Sequence, residues 1–389
     1  MQTRIVGATF VGVLLALGLT ARALDQAAAQ GTVQAPRFEV DPMWPKPLPN
    51  GWVLGQTIGV GVDAKDHIWI VHRIESPVAT EVGAAQNPPV SACCKPAPPV
   101  LEFDTDGTLL RSWGGPGQGY EWPVSNHGIF IDHKGIVWIG GNGNGDGQVL
   151  KFTQDGKFIA QYGKSVPNQA IASNDTTHFG RVAKIYVDPR TNEAYIADGY
   201  LNKRVVVIDA DTGAFKRYWG AYGNKPDDTN LGAYDPAAPP AQQFRTPVHC
   251  SDLSVDNLVY VCDRPNNRLQ VFTREGKFVK EAFFFKKTLG DGAVWDVAFS
   301  RDPQQKYLFM ADGKNERVRV LLRDTLELLT SFGDGGRQPG QFFAVHSIVT
   351  DSKGNLYTTE TYEGRRLQKF LYKGIGSVPR EQGVLWPGK

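Results

Sequence analysis

The sequence predicts an all-β fold, a six-bladed β-propeller. A unit of four short strands recurs six times, and its third strand begins at Val100, Val149, Val205, Leu269, Val318 and Leu367. Those starts are 49, 56, 64, 49 and 49 residues apart. The second strand of each unit is rich in aromatic and β-branched residues, the types that pack well on a pleated surface. A four-stranded sheet with two apolar faces cannot stand alone. A period near 50 lets each sheet bury both faces against neighbours set around an axis.

Taken in order, residues 1–30 read as an export signal. Arg4 supplies the positive end, an apolar run extends from Ile5 to about Leu19, and small residues give cleavage sites ending at Ala23 or Ala29. The run is short for a membrane span, and no second one follows, so a periplasmic or secreted protein is expected. Residues 31–51 form an N-terminal segment, 52–375 the propeller and 376–389 a tail. The second strands are HIWIVHR at His67, IVWIGGN at Ile136, AYIADGY at Ala194, LVYVCDR at Leu258, KYLFMADG at Lys306 and NLYTTET at Asn355. Fourth strands end in an aromatic before glycine, as in LLRSWG, FIAQYG, FKRYWG and LLTSFG. The sixth unit lacks a fourth strand after Leu371, and the segment around Phe38 to Val40 is expected to supply it and close the ring.

Composition narrows the function. The 389 residues carry a net charge of +2, without the basic stripe of a nucleic-acid binder. The apolar content of 41% suits a sizeable core, and 43 glycines and 25 prolines suit many turns. Four cysteines fit an oxidising compartment and allow three pairings. Cys250 and Cys262 sit on two strands of one expected hairpin. Cys93 and Cys94 are adjacent in a proline-rich loop, as a vicinal disulfide or as two thiols. No CxxC spacing points to a thiolate metal site.

Loop lengths choose the working face. The turns joining strands one to two and three to four are short. The connections on the opposite rim are long, among them Ile74 to Pro99, Lys164 to Arg181 and Ala221 to Thr246. Long loops gathered on one rim frame a site. The same rim receives the starts of the first strands, with His127, His249 and His346, and the ends of the second strands, with Arg73, Tyr200 and Arg264. The histidines belong to units two, four and six. First strands line a propeller's axis, so alternate blades bring three imidazoles together with an open fourth position, a catalytic zinc pattern. Counted back from Asp256, His249 stands two residues out of step with the others, which keeps it on the same strand face. His67, His72, His133 and His178 fall outside the set.

The strand pattern, the D-x-x-x-N-x-R turn at Asp198 to Arg204 with a shorter version at Asp263 to Arg268, and the aromatic-glycine ending resemble NHL repeats over nearly the whole mature chain. The runs VHR ending at Arg73, NHGIFID, ADGYLNKR, TPVHCSDL, VCDRPNNR and AVHSIV together resemble the peptidyl-α-hydroxyglycine α-amidating lyases. That resemblance implies a zinc site of His127, His249 and His346, with another divalent transition metal as the alternative, and Tyr200, Arg73 and Arg264 as catalytic residues. It implies cleavage of a carbinolamide N–C bond to an amide and glyoxylate. Tyr200 is the candidate base; one arginine favours its ionised form and the other clamps a carboxylate. Ser347 replaces the family's Asp beside a structural calcium, which puts that ion in doubt, and Leu201 replaces a family disulfide cysteine. The expected partner is a small-molecule or peptide substrate with a carboxylate, bound by a monomer without a membrane span.

Two other readings stay open. A non-catalytic NHL propeller acting as a binding scaffold predicts no tightly bound metal. A calcium-dependent lactonase needs a ring of Glu, Asn and Asp where this chain has histidines.

Overall fold

A computed structural model describes residues 31–168 and 171–388; the export signal expected at residues 1–30 lies outside them. Six four-stranded antiparallel sheets make up the ring. From the axis outward, blade 1 is Gln56–Val62, Ile68–Arg73, Val100–Phe103 and Leu109–Trp113. Blade 2 is Asn126–Ile131, Val137–Gly141, Gln148–Phe152 and Phe158–Gly163. Blade 3 is Val182–Asp188, Glu193–Asp198, Arg204–Asp209 and Phe215–Trp219, and blade 4 is Val248–Leu253, Leu258–Asp263, Arg268–Thr273 and Phe278–Phe283. Blade 5 is Asp296–Phe299, Tyr307–Asp312, Arg317–Leu322 and Leu328–Phe332. Blade 6 takes Val345–Thr350, Leu356–Glu360 and Leu367–Pro379 from the end of the chain and Thr32–Asp41 from its beginning.

The N-terminal strand pairs antiparallel with Leu367–Pro379, from Thr32 opposite Pro379 to Asp41 opposite Lys369. Strand therefore continues past residue 375, where the tail was expected to begin. Beyond it, Leu385 accepts a hydrogen bond from the Val40 amide at 2.8 Å. Innermost strands of successive blades touch all the way round, blade 6 against blade 1 included.

Six apolar clusters hold the ring, one at each junction between blades. Second strands lie between two such clusters and are buried almost throughout, whereas outer strands such as Phe158–Gly163 are partly exposed along their length. This explains why the second strand carries the strongest apolar signal. The aspartates before these strands anchor the aromatics that follow. Trp69 Nε1, Trp138 Nε1 and the Tyr357 hydroxyl donate to Asp63, Asp132 and Asp351. The D-x-x-x-N-x-R turn is a buried staple. Asp198 Oδ2 accepts from Asn202 and Arg204, both at 2.8 Å, while Oδ1 accepts the Gly180 amide of the incoming loop. Asp263 with Arg268, and Asp312 with Arg319, repeat it.

Both cysteine pairs are bonded. Cys250 and Cys262 face each other across the inner hairpin of blade 4, and Cys93 joins Cys94. The 74–99 loop is tied down by a parallel pairing of Trp52–Val53 with Lys95–Pro96 and by an ion pair from Glu81 to Arg365, which carries it across the seam to blade 6. Among the described residues no helix is long and apolar enough to cross a membrane.

Candidate metal centre

His127, His249 and His346 are each the second residue of an innermost strand, in blades 2, 4 and 6. In all three strands the pairing register shifts by one residue around or next to the histidine. Such bulges re-aim a side chain. The imidazoles meet on the axis, with ring centroids 4.7 to 5.1 Å apart, and one nitrogen from each lies within 4.8 Å of the others.

His249 proves to be in step. Ser254, not Asp256, fills the place that Asp132 and Asp351 hold in blades 2 and 6. Its hydroxyl accepts the Leu258 amide as those carboxylates accept Ile136 and Asn355. Each histidine precedes that residue by five positions.

Each ring is fixed by the blade that follows it. His127 Nδ1 donates to the Ala183 carbonyl at 2.7 Å, His249 Nδ1 to Trp295 at 2.5 Å and His346 Nδ1 to Ile58 at 2.6 Å. A carbonyl can only accept, so Nδ1 carries the proton and Nε2 is left with a lone pair. Gly128 permits the first of these contacts, because a Cβ there would stand 2.8 Å from the Ala183 oxygen. Burial, foremost, pushes all three histidines well below their ordinary pKa; the charges of Arg73 and Arg264 push His127 and His346 the same way, and Arg264 does so for His249. Neutral imidazoles are the form a metal requires.

Tyr200, just beyond the second strand of blade 3, puts its hydroxyl 2.8 Å from His127 Nε2 and 3.1 Å from His249 Nε2. A phenol has one proton for two lone pairs, and among the described residues nothing donates to His346 Nε2. A donor set so short of protons fits a cation. Arg264 Nη1 reaches the Tyr200 hydroxyl at 3.3 Å. Burial raises the Tyr200 pKa, while the charges of Arg264 and Arg73 oppose that rise.

The two arginines differ in their partners. Arg264 stacks over the Trp295 ring at 4.5 Å and pairs with Asp291 at 3.3 Å. Among the described residues Arg73 bonds only neutral groups: the Gln56 side chain at 2.7 Å, the Asn142 side chain at 2.8 Å and the Asn126 carbonyl at 3.3 Å. Its charge is therefore available to an anion. Ser347 donates to the Ile58 carbonyl at 2.7 Å, so the position that carries Asp in the resembling family is here a hydrogen-bonding hydroxyl.

Several residues around the centre were not foreseen. Trp295 precedes the inner strand of blade 5 and offers both a carbonyl to His249 and a ring to Arg264. Asp291 binds Arg264 and also accepts from the Tyr362 hydroxyl at 3.3 Å. The sequence signal for Trp295 is positional, since it stands at the head of its blade as the histidines do at theirs.

No family model matches the chain. NHL repeat-containing protein 3 of Mus musculus is 27% identical over 361 residues, covering 87% of this chain and 85% of that protein. The chain is a six-bladed propeller with NHL repeat-containing proteins among its homologues. The propeller also has amidating enzymes among its homologues. A probable peptidyl-α-hydroxyglycine α-amidating lyase of Caenorhabditis elegans is 24% identical over 57% of this chain and 56% of its own length. Peptidyl-glycine alpha-amidating monooxygenase B of Xenopus laevis is 29% identical over 40% of this chain, a match spanning 16% of that larger protein. Among solved structures, virginiamycin B lyase of Staphylococcus aureus aligns with a TM-score of 0.48 at 16% identity, over 91% of this chain and 94% of that one.

Proposed function

We propose that the three-histidine centre holds one divalent transition metal, zinc in the first place, in an exported carbon–nitrogen lyase acting on an α-hydroxyglycine-type carbinolamide. The observation that carries this reading is the Tyr200 hydroxyl, held against two imidazole Nε2 atoms and Arg264 at once. In the reaction R–CO–NH–CH(OH)–COO⁻ becomes R–CO–NH₂ and OHC–COO⁻. The N–C bond breaks and its electron pair stays on nitrogen. The hydroxyl O–H pair becomes the second C–O bond, and one proton moves from oxygen to nitrogen. No water or oxidant is consumed.

When bound, the metal supplies positive charge that makes a hydroxyl more acidic. In this reading Tyr200 Oη takes the hydroxyl proton and returns it to the departing nitrogen. Arg264, stacked on Trp295, favours the ionised phenol. Arg73, with one N–H still free on each terminal nitrogen, binds the substrate carboxylate by two parallel hydrogen bonds. Calcium has no part in this reading. Export to the periplasm or beyond rests on the signal pattern of residues 1–30 alone.

A second reading, a non-catalytic binding scaffold, is favoured by one observation: the match to NHL repeat-containing protein 3 covers more of the chain than the lyase matches do. Elemental mass spectrometry of the unchelated protein separates the two. About one zinc per chain, lost in His127→Ala, together with glyoxylate release from N-acyl-α-hydroxyglycines, supports the lyase. No metal even after reconstitution leaves the scaffold.

A further inference from the structure

Beside the metal centre a groove of about 450 Å³ opens between the long 221–246 loop and the segment before blade 5. Arg264, which reaches the Tyr200 hydroxyl, and its partner Asp291 line it, as do Lys203 and Arg245, for which no bond to a residue of the centre is found among the described residues. Arg245 is in no ion pair among the described residues. Its Nε donates to Asn266 Oδ1 at 2.7 Å, Nη1 to the Gly232 carbonyl at 2.6 Å and Nη2 to the Leu231 carbonyl at 3.4 Å. These acceptors hold the guanidinium in place without neutralising it. A guanidinium has five N–H donors, so one remains on each terminal nitrogen, the fork that matches a carboxylate. Lys203 Nζ donates to the Thr229 carbonyl at 2.6 Å and feels Asp227 and Asp228 only at longer range. Asp228 is already engaged by the amide and hydroxyl of Ser173. Among the described residues the one carboxylate on the groove wall is Asp291, and it is spent on Arg264 and Tyr362. The groove therefore presents cations held by neutral partners, and it shares Arg264 with the centre.

We propose that Arg245 and Lys203 form a second anion subsite, and that the natural substrate carries a carboxylate at the end remote from the bond that breaks. This rests on the lyase reading for the position of the reacting end, and it narrows the substrate class to acidic acyl- or peptidyl-amides. A neutral fatty or aromatic acyl group would leave both cations without a partner.

The test uses the full chain and ligands that cannot react. Glycine acylated with succinate, glutarate, adipate or suberate is titrated calorimetrically against the same compounds amidated at the far carboxyl. The series covers the reach that the groove requires. At least one acid should bind about ten- to a hundredfold more tightly than its amide, the range of a charge-assisted fork. Arg245→Met should abolish the difference and Lys203→Met reduce it. Lys203→Met leaves the loop contacts of Arg245 untouched, so it tests the subsite even if Arg245→Met unfolds. Equal binding of acid and amide throughout the series, or a preference that survives both substitutions, overturns the proposal. If the preference is present but no α-hydroxy counterpart releases glyoxylate, the lyase reading fails while the subsite stands.

Discussion

Lys184 Nζ stands 2.5 Å from Asp296 Oδ1, on the axis between blades 3 and 5. Asp252 of blade 4 lies 2.9 Å from the same ammonium, and Asp296 Oδ2 accepts the Ile348 amide of blade 6 at 3.0 Å. Each member is next to a residue that holds a histidine, or follows one by two or three positions. Lys184 follows Ala183, Asp296 follows Trp295, and Asp252 and Ile348 lie beyond His249 and His346. The layer thus fixes the strands from which the centre is built. Burial raises the Asp252 pKa to about 6, the Asp296 charge adds to the rise, and Lys184 opposes it.

Removing the ammonium leaves two buried carboxylates uncompensated. Lys184→Met should cost about 3–5 kcal/mol of stability, read from denaturant melts. Adding Asp252→Asn and Asp296→Asn to that variant should recover most of the loss, because neighbours in one network do not add. Full stability in Lys184→Met alone would show that the layer is relaxed by water.

Tyr200→Phe should keep its metal and lose turnover by about 10²–10⁴-fold, the usual contribution of a positioned acid–base group. Metal content and glyoxylate release, measured on one preparation, check both halves. Unchanged turnover with metal bound would remove Tyr200 from the chemistry.

Phe38 is buried in the junction of blades 5 and 6, with its ring centroid 5.4 Å from that of Phe309 and 5.7 Å from that of Phe332. Phe38→Ala should cost about 3–5 kcal/mol. Deleting residues 31–45 should lower the melting temperature further, because it also exposes the edge of Leu367–Pro379. A wild-type melt for the deletion would mean that the ring closes without its N-terminal strand.

Glu316 accepts the Ala344 amide at 2.6 Å. Burial, with the charges of Glu360 and Asp312, raises its pKa from 4.5 to about 7. The folded chain thus holds this proton more tightly than the unfolded chain does. The resulting stability is complete below about pH 4.5 and is lost as pH rises through about 7. Glu316→Gln should match the wild type at pH 4.5 and melt higher at pH 8; thermal melts at the two values decide.

The ring was legible because it repeats: aromatic second strands, capping aspartates and the arginine staple each recur at a fixed place. The three histidines were legible because they share a strand position. What fixes their rings was not, since carbonyls of Ala183, Trp295 and Ile58 act through the backbone and leave no mark on residue identity. Ser254 disguised the register of His249 because a hydroxyl and a carboxylate can cap the same turn. Arg245, Lys203 and Asp291 come from loops of unequal length, and no periodicity announces that these meet.

The carbonyl hooks make the axis a latch on the circle. Two of them join blades that are consecutive in the chain. The third runs from His346, near the chain's end, to Ile58, near its beginning, and non-covalent contacts alone hold those two parts of the circle together. Slack at that seam would carry one imidazole away from the other two. An ion bound by all three therefore resists opening of the circle. By mass action, each tenfold excess of free ion over its dissociation constant adds about 1.4 kcal/mol to keeping the circle shut.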